Sequence, residues 1–198
     1  MRTRDTQLKG LLLLVALTLH LIFGGELYSI WRHSTPWFSI EKNILRDLIF
    51  GVAIGVMSVT ISRIFGLRTA LGGALEEEMQ TIYSVRQRHP LRDAFGSACM
   101  EEVIFRGILL SWLDIIPSAL IFAITHLPLR RGLIIWMITA FAFGLMLCAL
   151  FMCGLSLVAP LTAHFVINFL NLNYLERRAR ATVFPGIGQQ ESVKQSLR

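Results

Sequence analysis

Two adjacent glutamates and an arginine lie in an otherwise apolar stretch of this 198-residue sequence, as Glu101, Glu102 and Arg106. Helical spacing places Glu102 and Arg106 on nearly one face, where they can form an ion pair, while Glu101 points about 100° away. Because one guanidinium cannot fully neutralise two carboxylates, Glu101 is the candidate reactive group, able to act as a general base toward water. A helix-packing ion pair is the simpler alternative, but it gives Glu101 no role.

Two histidines occur in similar apolar surroundings. His126 follows Phe122 by one helical turn, a spacing compatible with an aromatic ring packed over the imidazole. His164 and Asn168 are also four residues apart and share a helix face, which Asn171 continues. Taken one at a time, each histidine can also be explained as a hydrogen-bonded packing residue between helices.

Together, these side chains have the chemistry required for hydrolysis. Glu101 would activate a water molecule, and His126 would orient that water or relay its proton. His164 and Asn168 would donate hydrogen bonds to the oxyanion of a tetrahedral intermediate. The sequence contains neither the G-x-S-x-G of a serine nucleophile nor the H-E-x-x-H of a zinc protease.

The composition indicates where this chemistry would take place. Hydrophobic residues make up 54% of the chain and charged residues only 16%, whereas soluble domains carry about 25% charged residues. A small soluble domain has too much surface to hide such an apolar excess. A disordered chain and a disulfide-stapled secreted module are excluded by the same figures. The sequence therefore predicts an integral membrane protein.

The apolar segments predict an all-α membrane protein, a six-helix transmembrane bundle in which spans three to six form a four-helix catalytic core. The spans are predicted at residues 8–30, 44–65, 92–116, 117–127, 132–153 and 155–175. The fourth is short enough to be tilted or incomplete. Apolar residues at helical spacing between spans two and three predict an interfacial amphipathic helix, whose glutamates at 76–78 are expected to be solvated. Pro160 predicts a kink one turn before His164.

The basic residues predict the orientation. Of the 19 Lys and Arg residues, 15 fall in segments that would be cytoplasmic with both termini inside, and three fall in outside segments. Orientation therefore accounts for the net charge of +6, and no nucleic-acid partner is expected. The chain divides into residues 1–91 (two spans and an interfacial loop), 92–176 (the catalytic membrane core) and 177–198 (a cytoplasmic tail). A multi-pass protein of the bacterial inner membrane is the expected localisation.

The polar residues named above are significant because the segments that contain them are predicted to lie inside the membrane. A charge near the middle of a span costs about 2.5–3.5 kcal/mol on insertion scales and marks a functional site by default. The polar side chains come from three separate spans, and none of them can face lipid cheaply. We therefore expect them to converge on one water-filled cavity.

Three motifs resemble, in order and spacing, those of the CPBP (CAAX protease and bacteriocin-processing) family of glutamic intramembrane endopeptidases, which includes the type II CAAX prenyl endopeptidases. They are Glu101-Glu102-x3-Arg106, Phe122-x3-His126 and His164-x3-Asn168. The similarity covers about residues 92–172. It implies that Glu101 is the general base, supported by the other charged residues of its motif. It also implies that His126 acts with Glu101 on the water and that His164 and Asn168 form the oxyanion site, with Phe122 in support.

The expected function is that of an intramembrane endopeptidase acting on a membrane-associated protein or peptide in the lipid bilayer, without a cofactor. Two alternatives stay open. Two glutamates and two histidines can in principle hold a divalent cation, which would make the protein a metalloprotease. The chain could instead be a non-catalytic membrane protein that binds a peptide or bacteriocin in an immunity or scaffold role.

Overall fold

A computed structural model describes residues 43–84, 89–126 and 134–183, and within these ranges the chain forms helices and no strands. We number six helices. They are α1 (Ile44–Arg68), α2 (Ala70–Ser84), α3 (Pro90–Glu102, continued by a π-helical segment Val103–Leu109 and a last turn Leu110–Leu113), α4 (Ile115–Thr125), α5 (Ile134–Met152) and α6 (Val158–Val183). The predicted first span, residues 8–30, lies outside the described residues.

Helices α1 and α5 are long and apolar enough to cross a membrane. Most of their residues are not buried in the bundle, and α1 exposes large apolar side chains such as Ile49 and Val52. The only buried residues of α1 are Asp47, Gly51 and Gly55. A helix with small or polar residues inside and large apolar residues outside is suited to lipid rather than water. The fold is the expected all-α bundle, consistent with a membrane protein.

Within the described residues, the helix at the fourth predicted span is too short to cross a membrane. Helix α4 has 11 residues, so it extends about 16 Å, roughly half of the ~30 Å hydrocarbon core. It begins after Asp114, whose φ of 67° breaks the preceding helix and whose side chain accepts a hydrogen bond from the Ile115 N–H at 2.7 Å. This sharp break turns the chain from α3 into α4.

Helix α3 changes its winding at the residues of interest. Up to Glu102 it is α-helical, and from Val103 to Leu109 it is π-helical. The Leu110 N–H therefore bonds to the Phe105 carbonyl, five residues back. That carbonyl also accepts a hydrogen bond from the buried Ser118 hydroxyl of α4, at 3.0 Å. The helix thus contains a π segment immediately after the two glutamates, which helical spacing alone did not predict.

Helix α6 begins close to Pro160 rather than kinking at it. Pro160 lies in the first turn, where a backbone N–H would have no partner within the helix. Residues 153–157, immediately before this helix, are turns and irregular backbone, so no helical segment continues across Pro160. The predicted kink at this residue is therefore wrong. The helix then runs on to Val183, past residue 176, the predicted end of the core.

A second group of charges joins α1, α2 and α6, and we call it the peripheral cluster: Arg63, Glu76 and Arg178. Glu76 accepts hydrogen bonds from both arginines, each at 3.0 Å, and its side chain is only 18% exposed. The prediction of a solvated run at 76–78 is therefore wrong for Glu76, although the neighbouring Glu77 is exposed. The ion pairs hold α2 against the other two helices.

Candidate active site

Glu102 is the centre of a buried polar network. Its Oε1 accepts a hydrogen bond from Arg106 Nη1 at 2.8 Å and another from His164 Nδ1 at 2.6 Å. All three side chains are at most 2% exposed. The predicted ion pair between Glu102 and Arg106 is present, and it also fixes a histidine from α6.

Two further helices hold Arg106. Its Nη2 donates to the Gly144 carbonyl of α5 at 3.1 Å. Its guanidinium carbon lies 4.7 Å from the ring centroid of Phe122 on α4, a cation–π distance. Arg106 therefore links α3, α4 and α5 at one point, and the cost of burying its charge is offset by a carboxylate, a carbonyl and an aromatic face.

The imidazole of His126 lies against Phe122, with the ring centroids 4.5 Å apart, as the four-residue spacing predicted. Its Nδ1 is 2.7 Å from the Phe122 carbonyl oxygen. A carbonyl oxygen only accepts, so Nδ1 carries the proton and Nε2 is left to interact elsewhere. His126 Nε2 lies 3.5 Å from Glu101 Oε2.

Glu101 faces both histidines. Its side chain is 4% exposed, and its Oε2 lies 3.5 Å from His126 Nε2 and 3.8 Å from His164 Nε2. In each histidine the other nitrogen, Nδ1, already binds an oxygen, so both Nε2 atoms are directed to the same carboxylate. The structure thus brings Glu101, Glu102, His126 and His164 together from three helices.

The hydrogen bonds of His164 determine which of its nitrogens can take up a proton. Because Glu102 accepts from His164 Nδ1, a proton added to that ring lies on Nε2, facing Glu101. His164 can then donate hydrogen bonds from both nitrogens.

Asn168 lies one turn beyond His164 and is held by α3. Its Nδ2 donates to the Ser97 hydroxyl at 3.0 Å, and that hydroxyl donates to the Ala94 carbonyl at 3.2 Å. Ser97 is one helical turn before Glu101, so Asn168 is anchored on the helix that carries the glutamates. Asn171 does not continue this arrangement, because its Oδ1 accepts from Arg63 of the peripheral cluster at 2.8 Å.

Several residues of the site were not identified from the sequence. Ser97 and Ser118 are ordinary small polar residues in helices, and Gly144 contributes only its backbone carbonyl. The Phe143 ring packs edge-on to His164, with the centroids 5.4 Å apart. The sequence signal for each was weak, since helical serines usually bond to their own backbone and aromatic residues are common in spans.

Within the described ranges, no group of three or more His, Cys, Asp or Glu side chains has an arrangement that could hold a metal ion. The donor types at the centre, two imidazoles and a carboxylate, are nevertheless those found in zinc enzymes.

Comparison with known proteins adds one finding. Residues 90–170 match the family model described as Type II CAAX prenyl endopeptidase Rce1-like. The matched segment contains all three sequence motifs. Searches of curated proteins and of solved structures gave no match. The family is one of proteases, and the resemblance to CPBP proteases is confirmed at this level. Residues 90–170 of the chain thus match an Rce1-like type II CAAX prenyl endopeptidase domain, consistent with a protease of the CPBP family.

Proposed function

We propose that the chain is a glutamic intramembrane endopeptidase that hydrolyses a peptide bond in a membrane-associated protein or peptide. The observation that carries the proposal is the position of Glu101, whose carboxylate faces the Nε2 atoms of His126 and His164 at 3.5 and 3.8 Å. A buried carboxylate between two imidazoles, beside an ion pair that holds one of them, is an arrangement suited to moving a proton.

In the first step, Glu101 accepts a proton from a water molecule while the water oxygen attacks the carbonyl carbon of the substrate. His126 orients this water through Nε2, since its Nδ1 is held by the Phe122 carbonyl. The new carbon–oxygen bond forms as the carbonyl π electrons move to its oxygen. The resulting oxyanion requires hydrogen-bond donors.

In the second step, His164 and Asn168 stabilise this oxyanion. His164 donates from Nε2 in its protonated form, which Glu102 supports by accepting from Nδ1 at 2.6 Å. Asn168 uses the N–H that is not directed to Ser97. In a serine protease, losing one oxyanion-hole donor costs about 100- to 1,000-fold in rate.

In the third step, the intermediate collapses and the carbon–nitrogen bond breaks. Glu101 returns its proton to the leaving nitrogen, so that an amine and a carboxylic acid leave and the enzyme recovers its starting charge. Glu101 thus acts first as base and then as acid. Water and the peptide supply all the atoms, so no external redox partner or cofactor is required.

The proposed setting is a bacterial inner membrane, with both termini in the cytoplasm and lipid around the apolar helices. The charge asymmetry of the Lys and Arg residues supports this orientation. The substrate is proposed as a membrane-anchored protein or peptide, because the polar centre lies in a bundle with outward-facing apolar residues.

A comparison of membrane peptides tests the proposal. Membranes containing the wild-type chain, Glu101→Ala or His164→Ala are analysed by mass spectrometry for new protein termini, with Ile49→Ala as an exposed control. We expect termini that are present with the wild type and the control and absent with both site variants, at equal amounts of inserted protein. Identical termini in all four samples would instead favour the binding or scaffold role.

Chelation tests the absence of a cofactor. Cleavage at the identified bond is expected to continue after treatment with 1,10-phenanthroline. A loss of cleavage that added zinc restores would replace the proposed mechanism by a metalloprotease mechanism, in which the glutamates and histidines serve as ligands.

A further inference from the structure

Asp47 is a fully buried carboxylate outside the matched domain. It lies in the first turn of α1 and is 0% exposed. Its Oδ2 accepts two hydrogen bonds from Ser156, one from the backbone N–H at 2.8 Å and one from the hydroxyl. Its Oδ1 accepts from the Arg46 guanidinium at 3.0–3.1 Å. Nothing in the proposed catalytic steps uses this residue.

Ser156 lies at the start of the helix that carries two proposed site residues. The Val158 N–H donates to the Ser156 hydroxyl at 3.3 Å, and the Ala159 N–H donates to the Ser156 carbonyl at 3.1 Å. Asp47 therefore binds the residue that caps the first turn of α6. His164 follows Val158 by six residues, about 9 Å along the helix.

The packing of α1 on α6 brings the carboxylate to this point. Gly51, one turn after Asp47, lies so close to α6 that an added Cβ would be 2.6 Å from Thr162 Cβ. Gly55, one turn further on, leaves equally little room, since its Cβ would be 2.8 Å from Val166 Cβ. Two glycines thus allow backbone contact, and Asp47 supplies the hydrogen bonds at one end of that contact.

We propose that Asp47 is a positioning residue for the hydrolytic site, which sets the start and depth of α6 through Ser156 and thereby places His164 and Asn168 against α3. The inference rests on the proposed function. It assigns α1, which lies outside the matched segment 90–170, to the catalytic unit. We expect the contact to act by hydrogen bonding, because both bonds from Ser156 go to one oxygen, Oδ2, while Arg46 binds the other oxygen.

Three variants of Asp47 distinguish a role in hydrogen bonding to Ser156 from a role of its negative charge. Asp47→Asn keeps the size and one acceptor oxygen for Ser156, whereas Asp47→Leu and Asp47→Ala remove the acceptor. Leucine is well tolerated in an apolar helix, so it keeps the test valid if alanine prevents folding. Ile49→Ala, at a 59% exposed position in the same helix, is the matched control. Glu101→Gln is the reference for a protein that lacks the proposed general base.

The assay uses purified full-length protein in phosphatidylethanolamine–phosphatidylglycerol vesicles. The probe is a pool of acylated, quenched fluorescent peptides of mixed sequence. For Asp47→Leu we expect a rate at saturating peptide at least tenfold below the wild type, with the half-saturating concentration changed less than threefold. Asp47→Asn should stay within threefold of the wild-type rate, as should Ile49→Ala.

The outcomes distinguish the two proposals. If Asp47→Leu and Asp47→Ala cleave at the wild-type rate while Glu101→Gln is inactive, the positioning role is wrong and the proposed function stands. If Asp47→Asn is as inactive as Asp47→Leu, the charge is required and hydrogen-bond positioning is likewise wrong. If Glu101→Gln cleaves at the wild-type rate, the proposed function itself fails.

Discussion

The part of the chain that the structure describes contains two clusters of arginine and glutamate, which differ mainly in burial. In the central cluster, Glu102 and Arg106 are 0% exposed, and Glu102 also accepts a hydrogen bond from His164. In the peripheral cluster, Arg63 is 25% and Arg178 is 42% exposed, and both bind Glu76. The same residue types are therefore placed once inside the bundle and once at its edge.

The difference in burial assigns different roles to the two clusters. An exposed ion pair contributes about 0–1 kcal/mol, because water already solvates both charges. A buried pair contributes little over an apolar replacement, but removing one partner costs about 3–5 kcal/mol, since the other charge is left uncompensated. A helical bundle gains little stability from burying such a pair. We therefore interpret the central cluster as part of a reactive site and the peripheral cluster as an attachment between helices.

The largest expected effect on stability is that of Glu102→Ala. It removes the acceptor of both Arg106 and His164, and leaves the guanidinium buried. We expect the free energy of unfolding to fall by about 3–5 kcal/mol, measured by SDS titration in mixed micelles. A loss below about 1 kcal/mol would show that the centre is solvated, and would remove the contrast between the clusters.

The next effect in size comes from the α1–α6 contact. Gly51→Ala would place a Cβ 2.7 Å from the Ala159 carbonyl oxygen as well as against Thr162, so overpacking should cost about 1–3 kcal/mol. Gly73→Ala is the matched control, because its added Cβ would meet nothing closer than 3.8 Å. Equal unfolding midpoints for the two variants would contradict the close packing of α1 on α6.

The smallest effect is expected at the peripheral cluster. Glu76→Ala removes two partly exposed ion pairs, and should lower the free energy of unfolding by no more than about 2 kcal/mol, since each pair contributes about 0–1 kcal/mol. Peptide cleavage should stay within twofold of the wild type under the same conditions. A loss as large as that of Glu102→Ala would mean that burial does not separate the two clusters.

Much of the centre could be predicted from the sequence, because helical periodicity places residues four apart on one face. The pairing of Glu102 with Arg106 and the contact of Phe122 with His126 both follow from that spacing. The cost of charge at membrane depth then predicts that side chains from separate spans meet. The close approach of Glu101 to His126 and His164 agrees with this reasoning.

Other features depend on how helices pack, which periodicity does not encode. The bond of Asp47 to Ser156 joins residues 109 positions apart, and Asp47 was simply one acidic residue near the start of a span. The π segment after Glu102 depends on a shift from four-residue to five-residue hydrogen bonds, and Ser118 of the next helix satisfies one of its carbonyls. Glu76 was predicted to be solvated, because its partners Arg63 and Arg178 lie on two other helices and the spacing within its own helix does not reveal them.

The central claim is that Glu101 performs the proton transfer while Glu102 holds the site together. Its most direct test is the cleavage rate of Glu101→Gln in reconstituted vesicles, measured with its unfolding midpoint. We expect the rate to fall by about 100-fold or more while the midpoint stays close to that of the wild type. Wild-type cleavage by a folded Glu101→Gln protein would contradict the account.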